Sequence, residues 1–203
     1  ENSYFETKNN FSFELDNKFK LKNLLLKSNI KLDNMKYKTE KFIHNYFLKV
    51  SDTIIFKDHE LKLDYNKNKL SIKGEGKIKI NEKFEKIDYL VDKKKDGINL
   101  SSNLIIENID IKKQEFLKNY FPLLEENINL KNHKINIVYN NKNLTLTGEG
   151  KIKIDKVFDY IKYQVSTLDK NYVFDIDLGL SKTNFKIDFL NYSKKHNTNA
   201  KLK

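Results

Sequence analysis

The sequence has no cysteine, no arginine and no tryptophan, a single proline (Pro122), a single alanine (Ala200) and six glycines. The missing cysteine excludes disulfides and thiolate metal sites and leaves the redox compartment open. No segment approaches the ~20 consecutive apolar residues of a transmembrane helix. The missing arginine bears on partners. The formal net charge of +11 invites an acidic one, yet every basic residue is lysine. Base-reading proteins lean on the bidentate guanidinium fork, so no nucleic-acid partner is expected. The abundance of Lys, Asn and Ile is what an A+T-rich coding sequence produces, and part of the charge follows from it.

What is present is a repeat. "LSIKGEGKIKI" at 70–80 returns as "LTLTGEGKIKI" at 144–154. The match extends without a gap over 59–91 and 133–165, where 15 of 33 positions are identical at an offset of 74. "SNIKLDNMKY" (28–37) overlays "SNLIIENIDI" (102–111) at the same offset, as does "EKFIHNYF" (40–47) over "QEFLKNYF" (114–121). The chain therefore reads as one repetitive domain over 1–203, with units at about 18–91 and 92–165 and a partial third over 166–203. Its first residue, Glu1, and its last stretch, "NAKLK", lead to the expectation that it is a piece of a longer protein.

Each unit alternates apolar and polar residues. "ELKLDY" and "KINIVY" run into the Asn-rich turns "YNKNKL" and "YNNKNL", which predicts hairpins. "EKIDYLV", "YIKYQVS", "YVFDIDLGLS" and "NFKIDFL" continue the alternation. One apolar face and one wet face per strand is the pattern of an antiparallel sheet covered on one side. Leu70, Ile72, Ile78 and Ile80 share a face, as do Leu144, Leu146, Ile152 and Ile154, and the glycines Gly74, Gly76, Gly148 and Gly150 fall on that same face. A twelve-residue strand spans about 40 Å. A strand that long must curl, and glycines on the concave side permit it. They also leave a slot into which an aromatic helix can settle. The expected fold is thus mainly β: a curved antiparallel sheet, or gutter, whose apolar wall lies inside. A period near four marks one short amphipathic helix per unit, with an aromatic stripe of Phe42, Tyr46 and Phe47 in the first and Phe116, Tyr120 and Phe121 in the second.

No catalytic constellation is legible. There is no phosphate-cradling glycine loop before a helix and no serine or cysteine elbow, so neither an enzyme nor a cofactor is expected. Glu75 and Glu149, between the glycines, belong to the wet face, where cross-strand pairing with lysine is the expectation. His44, His59, His133 and His196 lack ligand spacing, so no metal is expected. His59 and His133 read as polar residues at strand entrances.

A gutter leaves part of its apolar wall uncovered, and its natural guest is an acyl chain, each buried CH₂ contributing about 0.8 kcal/mol. The hairpin "YNNKNLTLTGEGKI", the helix "FLKNYFP" before it, and "FDYIKYQVS" and "FKIDFLNYSKK" after it resemble the repeat units of the AsmA-like superfamily of Gram-negative envelope proteins, above all its long members proposed as bridges between membranes. The resemblance covers about 18–195. It implies a periplasmic β-groove that carries phospholipids by their acyl chains between inner and outer membranes. The anchor to the inner membrane, and the contacts with both membranes, would belong to parts outside this sequence. The residues it carries over are the twelve inward-facing positions just named. The alternative is a structural or adhesive β-repeat surface protein whose apolar faces are filled internally.

Overall fold

The computed structural model describes residues 3–39, 51–80, 83–113, 127–154, 156–168, 171–187, 191–195 and 197–202. The helices expected around Phe42, Tyr46 and Phe47 and around Phe116, Tyr120 and Phe121 lie outside the described residues. Among those described there is no helix, and all regular structure is strand.

The strands are β1 (Tyr4–Leu15), β2 (Leu21–Asp33), β3 (Met35–Lys38), β4 (Thr53–Asn66), β5 (Lys69–Lys79), β6 (Phe84–Lys94), β7 (Gly97–Lys112), β8 (Asn127–Asn140), β9 (Asn143–Ile154), β10 (Val157–Leu168), β11 (Asn171–Leu180), β12 (Phe185–Ile187), β13 (Tyr192–Lys194) and β14 (Ala200–Leu202). The main sheet runs β1-β2-β4-β5-β6-β7-β8-β9-β10-β11-β14, with β3 paired to β4, while β12 and β13 form a separate ribbon. Two-residue polar turns join β4 to β5, β6 to β7 and β8 to β9, so these neighbours in sequence become antiparallel neighbours in the sheet.

The chain divides into two compact units: Glu1–Lys38 with Asp52–Leu104 and Asn136–Thr145, and Thr39–Ser51 with Ile105–Ile135 and Leu146–Lys203. In the first unit the register lines the apolar residues up in rows. Ile30 stands opposite Leu61, Leu61 opposite Gly74 and Gly74 opposite Tyr89. The next row is Ser28, Leu63, Ile72 and Val91. The hairpin expected at "YNKNKL" closes with Asn66 opposite Lys69. On the other face Lys77 pairs with Asp58 at 2.7 Å and Lys69 with Asp92 at 3.2 Å.

The second unit holds most of the buried aliphatic side chains among the described residues, including Ile106, Ile109, Ile128, Ile154, Leu178 and Leu180. Its β10–β11 hairpin pairs Tyr160 with Gly179 through to Leu168 with Asn171. The turn after β11 is stapled to β10 by the buried Asp159. That carboxylate accepts hydrogen bonds from the backbone N–H groups of Ser181, Lys182 and Thr183 at 3.1, 3.0 and 2.9 Å and from the Ser181 hydroxyl at 3.0 Å. Burial alone would raise its pKa; the hydrogen bonds from this turn outweigh that and hold it below the usual carboxylate range. The buried Lys194 ammonium donates to the Thr183 carbonyl at 2.6 Å, tying β13 to the same turn.

Candidate functional site: the glycine-seated apolar face

The glycines of β5 and β9 are seats for aromatic side chains from neighbouring strands. A Cβ on Gly74 would lie 2.5 Å from Tyr89 Cζ and 2.7 Å from Leu61 Cδ2, and one on Gly76 would overlap the edge of the His59 ring. At the positions 74 residues on, a Cβ on Gly148 would overlap Tyr163, and one on Gly150 would overlap His133. Real Cβ atoms do not approach other atoms this closely, so these positions exclude any larger residue unless the rings move. The space expected to seat the aromatic helix is taken in both places by His and Tyr side chains of neighbouring strands.

The histidines correct the strand-entrance expectation. His59 lies inside β4 and His133 inside β8, 1% and 0% exposed. A β-bulge aims His59. The β4–β5 register shifts between Lys57 and Glu60, so Asp58 and His59 together oppose Gly76, and Asp58 sits at φ 51°. Asn132, just before His133, has φ 54°. Asp and Asn tolerate this left-handed region better than most residues. The signal was in the sequence. Apolar parity switches from Ile54 and Phe56 to Leu61, Leu63 and Tyr65, and from Ile128 and Leu130 to Ile135, Ile137 and Tyr139. A strand that changes parity while keeping one apolar face must carry an extra residue at the switch.

Each ring is tied through Nε2 to a strand carbonyl. His59 Nε2 lies 2.9 Å from the Lys77 carbonyl oxygen, and His133 Nε2 lies 3.0 Å from that of Lys151. A carbonyl only accepts, so Nε2 carries the proton in both and Nδ1 of the neutral ring is bare. Burial pushes both imidazoles below their ordinary pKa, with the carbonyl contact opposing. His59 packs edge-on against Phe56 at 5.2 Å and beside Tyr89 at 6.2 Å, and its Nδ1 is buried without a partner. His133 stacks on Tyr163 at 5.8 Å, and the Tyr163 hydroxyl donates to His133 Nδ1 across a long 3.4 Å. Burial pushes the Tyr163 phenol up to about 12.

Around these seats the face is partly open. Leu70, Ile72, Gly76 and Ile80 are half-buried and Ile78 is buried; Leu144, Leu146, Gly150 and Ile152 are half-buried and Ile154 is buried, while Gly74 and Gly148 are covered by their tyrosines. Within the first unit Leu61, Leu63, Ile87 and Val91 are half-buried as well. A sandwich core would bury such residues almost completely. On the wet face the expected pairing with lysine does not form at Glu75. Glu75 stands opposite Glu60 and Asp88, and Glu149 accepts a hydrogen bond from the Tyr160 hydroxyl at 3.0 Å.

Among the described residues no cluster of His, Asp or Glu is placed to hold a metal ion, and no helix is long and apolar enough to cross a membrane. Comparison with protein-family models, with curated proteins and with solved structures finds no match.

Proposed function

We infer that this chain is a segment of a periplasmic, bridge-like protein that carries phospholipids between membranes by holding their acyl chains along an apolar face. In this reading the sheet curls into a gutter built from 74-residue repeats, each adding one GEG strand and one short amphipathic helix. The observation that carries it is the half-open apolar face of the first unit, where Leu63, Leu70, Ile72 and Val91 keep part of their surface accessible. Exposed apolar strips of this kind need a partner, and a chain of methylenes matches one without any polar contact. The likeness of the repeat to AsmA-like units supports the same reading. A photo-crosslinker in place of Ile72 tests it, because Ile72 is accessible where Ile78 is buried. Capture of phospholipid in cells, with lipid retained in native mass spectrometry of the purified protein, is the expected result. Absence of lipid from both rejects the reading.

The second reading, a structural β-repeat protein with internally filled faces, is favoured by the buried aliphatic set of the second unit and by the occupation of the glycine slots by His and Tyr. It predicts the opposite outcome of the same experiment.

A further inference from the structure

The end of the β1–β2 hairpin differs from the other turns of the sheet. Lys67–Asn68, Lys95–Asp96 and Asn141–Lys142 are two-residue polar turns. The β1–β2 loop is "DNKFK", residues 16–20, and it presents Phe19, 85% exposed. The loop is closed and ordered by its own bonds. The Asp16 carboxylate accepts from the backbone N–H groups of Lys18 and Lys20 at 2.8 and 2.9 Å, and the Asp16 carbonyl accepts from Phe19 N–H at 2.9 Å. Phe19 itself is held at φ 58°, a conformation that a bulky residue rarely adopts. A strained backbone that points an aromatic ring into solvent gains nothing from packing within the chain.

The strands below the loop carry exposed apolar residues, most of them on one face. Phe11 stands opposite Leu26 on the face that continues to Tyr65 and Leu70. Leu25, opposite Ser12, faces the other way. A bulge follows, with Asn23 at φ 49°, and Leu15 then meets Leu21. Phe11, Phe13, Leu15, Leu21 and Leu25 are all exposed, Phe11 at 68%. Elsewhere in the first unit the second face is mostly charged and polar, with Ile55, Phe84 and Leu90 as scattered apolar exceptions. The exposed lysines 18, 20, 22 and 27 flank this tip, against Glu14 and Asp16.

We propose that the β1–β2 tip docks on an anionic phospholipid bilayer, with Phe19 and the ring of exposed Phe and Leu residues entering the headgroup–acyl boundary and the lysines meeting lipid phosphates. Aromatic residues with flanking lysines suit that boundary. A second copy of the chain fits worse: a two-fold contact through this tip would bring Lys18 and Lys20 against their own equivalents. The proposal does not rest on acyl-chain transport, because none of the twelve groove positions belongs to the tip.

The test uses the 203-residue chain and vesicles of phosphatidylcholine with and without phosphatidylglycerol. The protein has no tryptophan, so Phe19→Trp is a single-site reporter. Its emission should shift to the blue on anionic vesicles and be quenched by brominated acyl chains. Phe19→Ser with Phe13→Ser should lower vesicle binding about tenfold, and Lys18→Gln with Lys20→Gln should weaken binding and flatten its salt dependence, all without changing thermal unfolding. Indole emission from the Phe19→Trp variant that vesicles leave unchanged, wild-type binding by the Ser variant, or a dimer that the Ser variant dissociates would overturn the proposal.

Discussion

The His59 and His133 stations are built from the same parts 74 residues apart, and they differ at one ring nitrogen and one neighbouring side chain. Both histidines follow a left-handed Asp or Asn, sit on a glycine, lie beside a tyrosine and donate Nε2–H to a strand carbonyl. At His133 the Tyr163 hydroxyl reaches Nδ1; at His59 that nitrogen is buried without a partner, and Phe56 packs against the ring where the second copy has Leu130. The shared parts are steric and come from the GEG strand. The difference is polar, and it sets what each copy loses when its histidine changes.

The largest expected effect tests the shared parts. Gly76→Val and Gly150→Val each drive a branched side chain into a histidine ring, and each should cost about 3 kcal/mol in urea unfolding. Combining Gly76→Val with His59→Ala should recover part of that loss. A double-mutant cycle without coupling would show that the glycines serve strand curvature alone and that the seats are incidental.

The difference is sharpened by His→Phe. Both variants lose the bond to a strand carbonyl, but His133→Phe also strands the buried Tyr163 hydroxyl. It should cost about 1 kcal/mol more than His59→Phe in the same assay. Equal losses would mean that the 3.4 Å contact carries no energy.

The smallest effect is in pH. Both imidazoles are held below the ordinary histidine pKa of about 6.5, so the unfolded chain binds more protons than the fold once pH drops below that value. Stability from these groups is complete above it and is lost as pH falls towards the lower folded values. The Asp58 carboxylate beside His59 favours a proton on that ring, whereas at His133 the same position is the uncharged Asn132. His133→Phe should therefore flatten the acid limb of the stability curve more than His59→Phe. Imidazole titration by NMR checks the order directly; a lower pKa for His59 than for His133 breaks the distinction.

Much of the fold was legible because strands write their faces into residue parity. The hairpin turns, the apolar rows through Leu63, Ile72 and Val91, and the one-sided character of the sheet all follow from a period of two. The β4 bulge was legible in principle, as a parity switch at Asp58 that recurs at Asn132, but the switch is visible only when the segments on both sides of it are read as one strand. The role of the histidines was not legible. What a side chain meets in a sheet depends on its cross-strand partner, and Gly76 reaches His59 only through the register of β4 on β5.

The sequence alone determined the extended, one-sided strands, their repetition at 74 residues and the absence of cysteine chemistry, because these depend on local alternation and composition. Tertiary structure alone decided that a ring fills each glycine slot, that one imidazole nitrogen is left bare while its counterpart has a partner, and that Phe19 points outward on a strained loop. Those outcomes depend on which strands lie side by side and in what register, which is settled only when the sheet assembles.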